Sequence, residues 1–251
     1  MDVVSIPGGT VTLKDARRST ERSVALLPFM ISAVPVRARE FDPDSPDTSR
    51  SAGPDSPASG VRWLDAIAWC NSASNAEGLE MAYTTNEGAV RRNATADGYR
   101  LPTEAEWVYA SMGGQTRPRY GELIHIGWTA LDGVDGPQPV GDKTANGFGL
   151  FDTIGNVWEW CWDRVDPARY ADYRLLQGGG WADPEWSCRV GVRRGNAPDA
   201  IVEDVGFRVA RGRVAQGADI NGGQGWSEAS DRNRADVARL LSLGWTPLKS
   251  D

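Results

Sequence analysis

The chain has one histidine, His125, among 251 residues. That count excludes any metal site built from several imidazoles of this chain. A Ser–His–Asp constellation would have to use His125, and no Gly-x-Ser-x-Gly elbow occurs. Three cysteines, none closely spaced, do not make a disulfide framework, so a reducing cytoplasm is the expected location. No apolar run approaches the roughly 20 residues of a membrane span. The N-terminus lacks a basic region followed by an apolar one, the mark of a signal peptide. The glycine-rich stretches are not followed by Lys-Ser or Lys-Thr, so there is no P-loop. Basic residues are in deficit, 27 Lys and Arg against 34 Asp and Glu. The net charge of −7 disfavours nonspecific binding to nucleic acid, which needs basic surface to displace counterions. No repeat of 20–50 residues is evident.

What is abundant is tryptophan, 11 residues, together with 29 Gly and 15 Pro. Many turns and an irregular core filled by large rings are expected. The densest stretch is Gly155-Asn156-Val157-Trp158-Glu159-Trp160-Cys161-Trp162-Asp163. Buried Trp needs a partner for its N–H, so backbone acceptors must surround this segment. Asn156 and Glu159 carry oxygens of the kind a hard cation takes, beside backbone carbonyls such as that of Val157. Two readings follow, a Trp-rich core hairpin or a metal-bearing loop.

Residues 3–13 and 24–36 read as strands, the second restricted by Pro28 and Pro35. Residues 42–60 are rich in Pro, Gly, Ser and Asp and read as a flexible loop. Residues 61–75 place Trp63, Ile67 and Cys70 on one helical stripe. Thr103 and Glu106 have the spacing of a capping box behind Pro102, which predicts a helix from Thr103 to Gly113. From 113 to 211 short strands and structured loops are expected, with His125 as a structural histidine in a strand around 124–128. Residues 217–225 read as a glycine-rich linker. Residues 227–243 then read as an amphipathic helix carrying Ala235, Val237, Ala238, Leu240 and Leu241, stopped by Gly244 and followed by Trp245, Pro247 and Leu248. Such a tail either docks on its own domain or mediates association with a partner.

Eight segments in register carry a family resemblance. They begin with Pro7-Gly8-Gly9-Thr10, Pro28-Phe29-Met30-Ile31 and the stretch from Val61 to Asn71. Gly78-Leu79-Glu80-Met81-Ala82-Tyr83 and Gly98-Tyr99-Arg100-Leu101-Pro102-Thr103-Glu104-Ala105-Glu106-Trp107 follow. Asn146-Gly147-Phe148-Gly149-Leu150-Phe151-Asp152 leads into the Trp cluster, and Gly178-Gly179-Gly180-Trp181 and Gly206-Phe207-Arg208-Val209-Ala210 close the series. In this order they resemble the formylglycine-generating enzymes, or sulfatase-modifying factors. The resemblance implies a domain over residues 1–211, followed by a linker and helical tail over 212–251. It implies an α+β, C-type-lectin-like fold of low regularity.

The resemblance also implies a chemistry. Family enzymes hold copper(I) with two thiolates, the soft ligands that ion prefers. Cys188 matches the second of that pair, but Asp183 stands at the first and Gly180 at the active-site serine. One thiolate and one carboxylate do not make a two-thiolate site, so copper is not expected. A related branch binds iron through three imidazoles, which one histidine cannot supply. Calcium is the family ion that remains, with Asn156, the Val157 carbonyl and Glu159 as candidate ligands. The substrate groove would be lined by Trp181, Asp183, Trp186, Cys188, Arg193, Arg194 and Arg208, where paired arginines can take carboxylate or phosphate. The alternative for Arg208 is a buried pair with an acid such as Glu159 or Asp163. The leading expectation is an oxidase-inactive domain that binds a peptide, protein or small ligand, accessory to a neighbouring enzyme, with no nucleic-acid or membrane partner. The alternatives are an enzyme with a repurposed pocket using Asp183 and Cys188, a sulfatase maturase despite the missing thiol, and a diversity-generated binding protein.

Overall fold

The computed structural model describes residues 1–15, 19–43, 53–86, 89–212 and 222–235. Strand Trp158–Arg164 lies at its centre and is buried on both faces. Side chains alternate along a strand, so this one sorts its residues in two. Trp158, Trp160 and Trp162 enter one apolar cluster with Trp63, Tyr83, Leu101 and Phe207. Cys161 faces a second cluster with Trp107, Val108, Leu150 and Leu175. The acids Glu159 and Asp163 share the Cys161 side by the same alternation.

That strand belongs to a four-stranded sheet with the order Arg194–Asn196, Arg174–Gln177, Trp158–Arg164, Val205–Gly206. The last pair runs parallel, with Val205 opposite Trp158. A second four-stranded sheet has the order Val3–Ile6, Phe29–Ser32, Ala210–Arg211, Tyr99–Arg100. Three hairpins complete the strands, Gly9–Asp15 with Thr20–Leu26, Tyr83–Asn86 with Ala89–Arg92, and Gly222–Gly223 with Trp226–Ser227. The mixture of helices and short strands is the α+β architecture expected.

Helix Trp63–Ala76 buries Trp63, Ala66, Ile67, Cys70 and Ser74, the predicted stripe and its neighbours. Helix Glu104–Met112 opens on the capping box read from the sequence. Thr103 Oγ1 accepts from the Glu106 N–H and Glu106 reaches back to the Thr103 N–H. It ends at Gly113, whose φ of 59° lies in the left-handed region that a glycine adopts without a Cβ clash. Several of the buried tryptophan N–H groups find the acceptors they require. Trp63 donates to the Cys161 carbonyl and Trp160 to the Val61 carbonyl, at 3.0 and 2.8 Å.

Several expectations are corrected. Residues 53–60 of the supposed flexible loop are built in, with Ala58 N–H donating to Val36 and Ser56 fully buried. Residues 44–52 lie outside the described residues. His125 sits in the short helix Leu123–Ile126 rather than a strand, exposed beside Glu122, 3.8 Å away. The glycine-rich segment expected as a linker is a clasp where it is described. Gln224 is buried, accepts from Leu27 N–H, and donates to the Leu27 carbonyl and to Glu106. Helix Glu228–Ala235 follows, and its Asp231 pairs with Arg164 on the domain. The rest of the predicted tail helix, with Val237, Ala238, Leu240 and Leu241, lies outside the described residues.

Asp163 shows what the polar side of the central strand does. Its Oδ2 accepts from the Glu104 N–H at 2.8 Å, at the start of helix Glu104–Met112. Burial, and then the neighbouring Glu104 carboxylate, push its carboxyl up to about 6. An unfolded Asp titrates near 3.9, so between about pH 4 and 6 the folded chain keeps a proton the unfolded chain has released. This group therefore makes stability fall as pH rises through that window. Asp163→Asn keeps an oxygen for Glu104 and cannot titrate. The melting temperature of the native chain should fall relative to Asp163→Asn from pH 4 to 6 and run parallel to it above 7. Parallel curves throughout would refute the assignment.

Candidate functional site

The segment Gly178–Cys188 follows strand Arg174–Gln177 and turns sharply. Gly178 and Gly179 have φ of 102° and 88°, where a side chain would be strained. A Cβ on Gly179 would also lie 2.7 Å from the Cys188 sulfur. The glycines thus let the backbone fold back against Cys188. Arg119 clamps the far end of the turn, donating from Nε to the Cys188 carbonyl at 2.9 Å and pairing with Glu185.

Inside the turn, Asp183 is held by two donors. Its Oδ2 accepts from Trp158 Nε1 at 2.5 Å and from the Gly180 N–H at 2.8 Å. Asp204 enters from the other side. Its backbone carbonyl accepts from the Trp158 N–H, and its carboxylate pairs with Arg194 at 3.4 Å. Arg194 in turn lies over the Trp158 ring, 5.4 Å from its centroid. A Cβ on Gly180 would sit 2.9 Å from Asp204 Oδ2 and 3.3 Å from Asp183 Oδ2. The two carboxylates therefore flank the space a serine side chain would fill. Asp204 Oδ1 is buried with no partner among the described residues, and burial, opposed by Arg194 and reinforced by Asp183, raises its carboxyl above the usual range. Burial pushes the Cys188 thiol up to about 12, with Asp183 adding to it. At neutral pH this thiol is protonated, and thiols are weak nucleophiles and ligands in that form.

The structure thus brings together Asp183, Cys188 and Arg194 of the expected groove, adds Trp158 and Asp204, and sets Trp181 and Trp186 in the same turn. Trp181 is half-buried and anchored by its backbone N–H to the Asn156 carbonyl; Trp186 is 68% exposed. Two residues belong elsewhere. Arg193 pairs with Glu104, Nε to Oε1 2.7 Å, and with Asp15 on the opposite side of the sheet. Arg208 is fully buried and pairs with Glu159, Nε to Oε2 2.6 Å and Nη2 to Oε1 2.8 Å. Arg194 opens strand Arg194–Asn196 and reaches Asp204, whereas Arg193 just before the strand is drawn to Glu104 and Asp15, so only one of the two reaches the groove. Asp204 went unread because its role follows from the parallel pairing of Val205 with Trp158, a long-range contact.

The donor sets can be tested against the family's ions. Cys70, Cys161 and Cys188 are all free and buried, and each lies in a different apolar cluster, so no two thiols meet. Cys188 with Asp183 does not fit copper(I). The oxygens expected for calcium are turned to protein donors. Asn156 Oδ1 accepts from the Gln138 N–H, and its Nδ2 donates to the Gln138 carbonyl and Asp152. Glu159 Oε2 also accepts from Trp107 Nε1 at 2.7 Å, completing its engagement with Arg208. Val157 is fully buried beside them. These residues fit a hydrogen-bonded support better than an ion site. Among the described residues, no group of three His, Cys, Asp or Glu side chains is placed to hold a metal. Among them, too, no helix is long and apolar enough to cross a membrane.

Comparison with known proteins agrees with this geometry. A family model described as the sulfatase-modifying factor enzyme 1-like domain matches residues 1–213. The chaperone protein LppX of Paenibacillus barcinonensis is 27% identical over 84% of this chain and 90% of its own length. A formylglycine-generating enzyme of Thermomonospora curvata is 32% identical, over 67% of this chain and 59% of its own. A bovine protein named inactive C-alpha-formylglycine-generating enzyme 2 is 37% identical over 46% of this chain and 44% of its own. The chain thus spans about half the length of the named enzyme and its inactive relative. Among solved structures, Treponema denticola variable protein 1 superposes with a TM-score of 0.76 at 26% identity, covering 83% of this chain and 94% of that one.

The buried pair gives a direct test. Removing one partner of a buried ion pair leaves an uncompensated charge and costs about 3–5 kcal/mol. Arg208→Met should lower unfolding free energy in urea by that order, and Arg208→Met/Glu159→Leu should recover a large part of it. If the double variant is no more stable than the single one, Glu159 is not the charge that Arg208 neutralises.

Proposed function

The chain belongs to the sulfatase-modifying factor family, and from that premise we propose a member without oxidase activity whose groove binds a peptide, protein or small ligand. One observation carries the reading. Where family enzymes place the first copper thiolate, this chain places a carboxylate fixed by Trp158 and the Gly180 N–H, beside a thiol that burial keeps protonated. The serine position is a glycine, and Asp204 crowds the place a serine would take. The remaining groove offers carboxylate oxygens, the Arg194 guanidinium and tryptophan surface. These groups recognise polar ligands and hold them without redox chemistry. The relatives named a chaperone and an inactive enzyme support an accessory role of this kind for the same fold. Calcium at Asn156 and a cytoplasmic location are no part of the reading's support.

A second reading has one observation in its favour. Asp204 is raised by burial and lies across the Gly180 position from Asp183, so its carboxyl can hold and release a proton for acid/base work. Cys188 is less suited to nucleophilic work because its thiol is held protonated.

The decisive test is chemical. The protein is loaded with copper(I) and incubated in air with a peptide of the Cys-Thr-Pro-Ser-Arg type, and the peptide mass is read. No aldehyde should form. Aldehyde formation at the rate of an authentic maturase assayed in parallel would overturn the proposal. Gly180→Ser should not restore activity and should lower the melting temperature, since its Cβ would press on Asp204. Relief of that loss by Asp204→Ala checks the crowding argument independently.

A further inference from the structure

A second polar cluster lies away from the groove, on the other half of the tryptophan core. Arg92 ends strand Ala89–Arg92 and is 7% exposed, as is Arg174 on strand Arg174–Gln177. Both surround Trp162. The Arg92 guanidinium carbon lies 5.9 Å from the Trp162 ring centroid and 5.8 Å from that of Trp226. The Arg174 carbon lies 3.9 Å from Trp63 and 5.1 Å from Trp162. Ring faces attract such cations. They do not supply acceptors for five N–H groups in a guanidinium fork.

The hydrogen-bond accounting at this place is one-sided. Arg92 Nε, Nη1 and Nη2, Arg174 Nε and Trp162 Nε1 are all buried with no acceptor among the described residues. Every one of these atoms is a donor. Arg174 does place Nη1 on the Trp162 carbonyl at 2.7 Å, which fixes it in the cluster. The nearby carboxylates Glu106, Asp231 and Asp163 are engaged elsewhere, and Asp172 lies exposed at the surface. Glu106 holds Arg100 with both oxygens, Asp231 pairs with Arg164 and Arg234, and Asp163 caps the Glu104 N–H. Burial brings Arg92 down to about 10 and Arg174 down to about 9, so both stay charged at neutral pH. A buried charge without a hydrogen-bonding partner is strongly unfavourable. Five unmatched donors around one ring suit a negatively charged acceptor.

We infer that Arg92, Arg174 and Trp162 Nε1 form a site for a small oxyanion, of the carboxylate or phosphate class, enclosed beneath Trp226. The planar fork of arginine matches two oxygens of such a group. Trp226 lies beyond residue 213, where the family match ends, and it is held in place by Asp231 and by the Gln224 clasp. The segment that follows the family domain therefore supplies a wall of this site. The site is independent of the groove and of the function proposed for it.

The test uses the full chain and two probes, sodium phosphate and sodium acetate, each against sodium chloride at equal ionic strength. Melting temperature and tryptophan fluorescence are followed. An anion bound only by the folded state stabilises by mass action. A saturable rise of several degrees with phosphate or acetate, over the chloride reference, is expected. Arg92→Met and Arg174→Met should each abolish that rise. Should a Met variant not fold, Arg92→Lys keeps charge and ring contact but loses the fork, and it should weaken the apparent affinity at least tenfold. Equal melting temperatures in all three salts, or a response unchanged in the Arg92 and Arg174 variants, would overturn the inference and leave the rings as the only partners.

Discussion

Arg208 and Glu159 form the contact on which the rest of the domain depends. Each is fully enclosed, and their five polar atoms reach every layer. Glu159 sits on the central strand and takes the N–H of Trp107 from helix Glu104–Met112. Arg208 donates to the carbonyls of Ser32 and Phe151, one on the other sheet and one on the loop before the Trp cluster. An apolar pair of the same size could fill this volume, but it could not fix four chain segments by direction as well as distance. Buried ion pairs are poor sources of stability and better sources of a defined arrangement. Here the arrangement positions Trp158, whose N–H then places Asp183.

The groove shows how substitutions at a site become mutually dependent. With a glycine at 180, Asp204 can approach Asp183; with a serine, it could not. With a carboxylate at 183, the Trp158 and Gly180 N–H groups have an acceptor that a thiol would match weakly. The departures from the family pattern are therefore one coherent alternative rather than separate losses. This is why the fold can be assigned with far more force than the activity, since a fold hosts the chemistry its site permits.

Much of the fold was legible because it is local. The capping box of Thr103 and Glu106 and the stripe of Trp63, Ile67 and Cys70 follow from spacing alone, and the motif series supplied the architecture. The alternation of Trp158, Trp160 and Trp162 with Glu159, Cys161 and Asp163 was visible, but which face meets which cluster was not. The site was legible in part. Asp183, Cys188 and Arg194 were read from their segment and meet in space. Arg193 is drawn away from the groove by Glu104 and Asp15, Arg208 takes the buried pairing with Glu159 that was its alternative reading, and His125 lies in a four-residue helix that periodicity cannot separate from a strand. Asp204, Arg92 and Arg174 gave no signal, because their surroundings are assembled from separate segments that only the fold brings together.

The order of the second sheet has a consequence for synthesis. Val3–Ile6 pairs with one side of Phe29–Ser32 and Ala210–Arg211 with the other. The strands of this sheet made first and last thus share a single neighbour, and Arg208 comes only three residues before residue 211. On the ribosome the early strands and the Trp-rich segment must wait, with their apolar faces uncovered, until nearly the whole domain has emerged. Long-range pairing of this kind folds slowly and leaves sticky intermediates. The chain is therefore expected to depend more on chaperones while nascent than its finished core would suggest.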